Sequence, residues 1–126
     1  MSRPDYDALI TWLESTYGDD LRWVASFNHR RFSHTVQYIR QDLKTELTDL
    51  ELETIVHRFM AVYNRQHVED VYAHLGDAEA MLVKHEKAMA VHLYLTDDSG
   101  VVIKLTDGAT LTVPTFFEEC LDHLNA

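Results

Sequence analysis

The chain has 126 residues, 46% of them hydrophobic and 25% charged, with four glycines and two prolines; this excludes a disordered segment and suits one domain spanning 1–126. A lone cysteine, Cys120, excludes an internal disulfide, and no apolar run approaches membrane-spanning length. Eleven Lys and Arg against 21 Asp and Glu leave a formal charge of −10, a surface that on average repels nucleic acid and, with only four lysines, suits a salt-rich interior.

The chain starts MSRPDYDALI, acidic where a signal peptide is basic and apolar, so a cytoplasmic location is expected. Ser2, Pro4 and Asp5 form a helix entry, and Tyr6, Leu9, Ile10, Leu13 and Tyr17 recur at three- and four-residue steps up to a stop at Gly18. From Leu21 the period becomes two. Leu21, Trp23, Ala25 and Phe27 share one face of a strand, with Arg22, Val24 and Ser26 on the other. A second strand runs from Phe32 to Ile39, with Phe32, His34, Val36 and Tyr38 alternating against Ser33, Thr35, Gln37 and Ile39. Asn28-His29-Arg30-Arg31 between them closes an antiparallel hairpin.

Thr48 and Glu51 have the spacing of a capping box, which starts a helix whose expected buried stripe is Leu52, Ile55, Val56, Phe59, Val62 and Tyr63 and which extends to about Asn64. A shorter helical piece on Val68, Val71, Tyr72 and Leu75 ends at Gly76. Three extended segments follow, Glu79 to His85, Ala88 to Thr96 and Val101 to Thr106, the last two joined by the turn Asp97-Asp98-Ser99-Gly100. Pro114 then opens a closing helix with Phe117, Cys120, Leu121 and Leu124 on its inner face. This order predicts an α+β fold: a five-stranded antiparallel sheet whose two hairpin regions are joined through the central helix, with the terminal helices covering a face.

Motifs for chemistry are missing. The eight histidines include no HxxxH or HExxH, and His67 and His74 stand too far apart along a helix to chelate together, so no metal or cofactor is expected. No GxSxG elbow, phosphate-binding glycine loop or isolated carboxylate pair marks a catalytic centre, and an enzyme is not expected. Charge is more informative. From Leu21 to Arg40 the chain carries four arginines and no acid, +4 against −14 for the remainder. Arg22, His29, Arg30, Arg31, His34 and Arg40 are therefore the candidate partner-binding residues, for an acidic protein or for phosphates; the plainer alternative is that the arginines pair with the protein's own carboxylates.

The order of elements resembles the roadblock (dynein light chain type) fold and its longin and profilin-like relatives. That resemblance covers most of the chain and implies a non-catalytic homodimeric adaptor, several such proteins being attached to small GTPases or motility systems. The glycine-containing first hairpin of those proteins is replaced here by Asn28-His29-Arg30-Arg31. At the level of residues, the blocks LRWVASF, VQYIRQDL, VEDVYAHLGD, AVHLYLTDDSGVVIKL and FFEECLDHL are similar, in the same order, to a family of small haloarchaeal proteins of unassigned function.

The expected function is that of a small, non-enzymatic cytoplasmic adaptor or regulator, a homodimer that binds a protein partner; Tyr38, Tyr63, Tyr72 and Tyr94 are candidate contact anchors, with core positions expected for most of them. Two other readings accompany it: a nucleic-acid- or ribosome-associated factor using the arginine-rich hairpin, and a sensor with a small ligand held between sheet and helices.

Overall fold

The computed structural model describes residues 4–31 and 33–125. Ser2 and Phe32, which the sequence places at a helix entry and at the start of a strand, lie outside them. Asp5 caps helix α1 (Tyr6–Tyr17), its carboxylate accepting from the Ala8 amide at 3.0 Å. The helix stops at Gly18, whose φ of 54° suits a residue without Cβ and whose amide donates back to Glu14. Strands β1 (Leu21–Asn28) and β2 (Ser33–Ile39) form the first hairpin, and helix α2 (Leu47–Val71) follows a 3-10 stretch over Gln41–Glu46. Strands β3 (Ala80–Lys84), β4 (Ala88–Tyr94) and β5 (Ser99–Thr106) precede helix α3 (Thr115–Leu124).

The five strands form one antiparallel sheet in the order β2-β1-β5-β4-β3, the architecture predicted from the sequence. The long connection through α2 lets β5 return beside β1, which leaves β2 and β3 as edges. Two apolar cores lie on opposite faces. Leu9 and Leu13 of α1 and Phe116, Cys120 and Leu124 of α3 pack on Leu21, Val24, Val91, Leu93, Val101, Ile103 and Leu105. On the other face, Leu50 and Ala61 of α2 cover Trp23, Ala25, Phe27 and Val102, joined by Leu43.

Several local expectations fail for identifiable reasons. The β1–β5 register shifts between Leu21 and Trp23, so Leu21 joins Val24 in the α1/α3 core instead of sharing the face of Trp23. A second shift, where the partners of Val24 and Ala25 step from Tyr38 to Val36, sends Tyr38 to the α1/α3 core while Val36 and Ile39 join the α2 side. In α3 Cys120 and Leu124 are buried as expected, but the third buried residue is Phe116, and Phe117 is half-buried. The two helical pieces expected after Thr48 form one helix of 25 residues, followed by a 3-10 turn over Ala73–Leu75 that ends at Gly76 with φ 87°.

The largest correction concerns which face of α2 is buried. Of its expected stripe, Leu52, Val56, Phe59 and Tyr63 are 58%, 56%, 52% and 70% exposed, while Ile55 and Val62 are half-buried. The residues that meet the sheet are Leu50, Thr54, His57 and Ala61. Apolar periodicity identifies a stripe but not what covers it, and here small and polar side chains take the inner position.

Candidate functional site

The six basic residues proposed from the sequence do not form one surface. Arg22 and Arg40 sit where the first hairpin opens, with the Arg40 amide donating to the Arg22 carbonyl, and the turn residues His29, Arg30 and Arg31 lie at its far end, roughly 25 Å of strand away. Arg40 grips both oxygens of Asp42 at 2.6 and 2.9 Å and donates to the Asp19 carbonyl at 2.6 Å. That forked pair holds the Asp42 carboxyl below its usual range and raises the guanidinium further. Arg40 thus ties the end of β2 to the turn before β1.

At the other end the two hairpin turns are joined: the His29 amide donates to the Asp98 carbonyl at 2.6 Å, and Arg30 stands 3.4 Å from the Asp98 carboxylate. Arg31 and His34 line a groove of about 450 Å³ with Tyr6, Ser26 and Gln37. His29 instead borders a separate cleft of about 280 Å³ between α2 and the β4–β5 turn. Its floor is Phe27, Val62 and Tyr94. Arg65 lies over the Tyr94 ring at 4.7 Å and donates to the Thr96 carbonyl, and the Tyr94 hydroxyl donates to the Ala61 carbonyl at 2.7 Å. Burial pushes that phenol up to about 12.

Sequence reasoning missed the polar chain beneath α2. Glu53 and His57 occupy successive turns of α2, Lys104 points from β5 to the same face, and His92 does so from β4. The Lys104 Nζ donates to Glu53 Oε1 at 2.7 Å and to His57 Nε2 at 3.1 Å; His57 Nδ1 lies 3.0 Å from His92 Nε2. His57, His92 and Lys104 are buried, and the Trp23 ring closes the side, 5.8 Å from the His57 ring and 5.9 Å from the ammonium. Burial, and after it the electrostatic influence of His57 and Lys104, lowers His92 to about 3. The neighbouring His57, and after it Lys104, lower Glu53 to about 2. A lone lysine within the apolar run Val101–Leu105 is the available signal, because a cation in a fully buried strand requires a partner.

Among the described residues no three His, Cys, Asp or Glu side chains gather in a way that holds a metal ion. No helix among them is long and apolar enough to cross a membrane.

The family model described as "Domain of unknown function (DUF7522)" matches residues 7–125. The chain belongs to that family. The DUF7522 match takes in the five strands and, but for Tyr6 at the start of α1, the three helices of the described residues. No curated protein matches the chain in sequence. Among solved structures, the gliding protein mglB from Thermus thermophilus is similar with a TM-score of 0.55 at 14% identity, over 94% of this chain and 87% of that one. MglC from Myxococcus xanthus aligns with a TM-score of 0.46 at 13% identity, over 94% and 91% of the two chains. At such identity the likeness to mglB concerns the fold, and it agrees with the roadblock-like topology of this DUF7522 member.

Proposed function

We propose that this protein is a small non-enzymatic adaptor or regulator of the cytoplasm, folded as one domain over 1–126, that works as a homodimer and binds a protein partner through its surface. The observation that carries the reading is the outer face of α2. Leu52, Val56, Phe59 and Tyr63 follow one another at steps of four, three and four residues, and all four are exposed. With Met60 beside them, they form an apolar stripe, bordered at Phe59 by Arg58, on a helix whose opposite face is already packed. Such a stripe on an otherwise acidic protein marks a contact between macromolecules. A second copy is the occupant that best suits it, because an isologous contact sets the stripe against itself and removes both apolar surfaces at once.

The acid excess fits the same reading. Two copies at −10 each repel one another in dilute buffer, and molar salt shortens the reach of that repulsion to about 3 Å. Pairing strengthens with salt, in keeping with the saline habitat inferred from the sequence blocks. The nucleic-acid reading has less support, since the arginines divide between two ends of the hairpin and Arg40 is engaged within the fold.

Sedimentation of the parent protein and of Phe59→Glu in high salt tests this. The parent should sediment as a dimer and the variant as a monomer with unchanged circular dichroism. A parent that is monomeric at high micromolar concentration, or a dimer indifferent to Phe59→Glu, contradicts the reading.

A further inference from the structure

We propose that the chain Glu53–Lys104–His57–His92 is a proton-operated latch that seats α2 on the sheet and releases it on mild acidification. An ammonium has donors only, so Lys104 donates to His57 Nε2 across their 3.1 Å separation, and that nitrogen must keep its lone pair. His57 is then neutral with its proton on Nδ1, which donates to His92 Nε2 at 3.0 Å. His92 in turn carries its proton on Nδ1, an atom with no hydrogen-bond partner among the described residues.

In this arrangement both imidazole lone pairs are occupied. A proton enters at His57 Nε2 only by displacing Lys104, or at His92 Nε2 only by breaking the bond from His57. Either event removes one of the hydrogen bonds between α2 and the sheet, leaving Glu53–Lys104, and it sets a second cation in the same buried chain as the Lys104 ammonium.

The surrounding groups offer no relief. α2 contributes Glu53 and His57, β5 Lys104 and β4 His92, while β1 contributes only the uncharged Trp23 and β3 sets Met81 opposite His92. Arg58, a buried cation of α2, lies against Phe59. Glu53 is the one anion of the chain, 2.7 Å from Lys104 and 3.7 Å from His57 Nε2. If it turned to a charged His57, Lys104 would lose its acceptor. The low value of His92, about 3, is what such an environment produces. α1 and α3 lie on the opposite face, in a core without this chain. Acid therefore loosens one layer of the fold selectively.

Hydrogen exchange of the full-length protein at pH 7 and pH 5, corrected for intrinsic rates, tests the latch. Uptake of one proton below the ordinary histidine value of about 6.5 multiplies the opening equilibrium tenfold per pH unit, so amides of α2 should lose about 30-fold in protection. Amides of α1 and α3 should hold theirs, and His92→Gln, which still accepts from His57 but takes up no proton, should lose the share of the difference due to His92. Equal loss in all three helices, no loss in α2, or loss that is undiminished in His92→Gln overturns the latch. Nitrogen NMR of the parent decides the matter if that variant does not fold: both rings should be Nδ1–H tautomers, and an Nε2–H tautomer at either ring contradicts the proposal. His92→Gln leaves the outer face of α2 unchanged, so loss of protection caused by dissociation of a dimer would persist undiminished in that variant and is distinguished from the latch.

Discussion

His57 Nδ1 and His92 Nε2 meet at 3.0 Å across the boundary between α2 and the sheet, with both rings buried. The unfolded chain protonates His92 below about 6.5, whereas the folded one holds it neutral down to about 3. Below about 6.5 the unfolded state binds more protons, so this contribution to stability is present at neutral pH and is lost as pH falls through that window. Urea titrations should show unfolding free energy decreasing from pH 6.5 to 4 by up to about 1.4 kcal/mol per pH unit for this one group, with a flatter profile in His92→Gln. Glu53, held at about 2, adds a loss that begins only below about 4.5, the same sign in a lower window.

Lys104 and Glu53 are coupled, and a double-mutant cycle should detect it. Glu53→Gln leaves the buried ammonium without its anion and should cost about 1–2 kcal/mol, reduced from a fully buried pair because the carboxylate is partly solvated. Lys104→Met keeps a similar volume while removing the charge. The double variant should be less destabilised than the sum of the single ones by about 1 kcal/mol in urea unfolding. Strict additivity would mean that the 2.7 Å contact contributes nothing.

The arginines of the first hairpin should separate into two kinds. Arg40→Ala removes a forked pair with Asp42 and a bond to the Asp19 carbonyl, and should lower the melting temperature by a few degrees. Arg30→Glu and Arg31→Glu change exposed turn residues and should leave it within about one degree. Differential scanning calorimetry of the three variants distinguishes fold-supporting from surface charge.

Gly100 admits no side chain. A Cβ there would run into the Leu93 carbonyl and stand 2.7 Å from the Phe27 ring, both parts of packed strands. Gly100→Ala should destabilise by about 2 kcal/mol or more, seen as a lower urea midpoint at unchanged m-value. A variant as stable as the parent would show that Phe27 moves aside freely.

The sequence carries the order of elements and most strand positions, because alternation in β1 and the turn residues at Asp97-Asp98-Ser99-Gly100 act locally. It does not carry the extra residue in β1 before Trp23, or the one in β2 before Tyr38, since a bulge leaves no local mark on the pattern; alternation alone therefore puts Leu21 and Tyr38 on the wrong face. It also does not say which side of α2 meets the sheet. Apolar periodicity points to Leu52, Val56, Phe59 and Tyr63, but the inner side is set by the small Ala61 and by a histidine that fits between Lys104 and His92, a match visible only once three elements are assembled. Arg22, Arg30, Arg31 and Arg40 are legible as a run of charge, but the hairpin places them at opposite ends.

In the proposed homodimer a second copy covers the outer face of α2. Pulsed dipolar spectroscopy on Gln66→Cys carrying a nitroxide tests it most directly, since Gln66 is an exposed residue of α2 and the single native thiol, Cys120, is buried. Facing helices pack about 8–10 Å apart, so labels on two copies should show a resolved short distance that fades on dilution with unlabelled protein. An absence of dipolar modulation at high micromolar concentration and molar salt would contradict it.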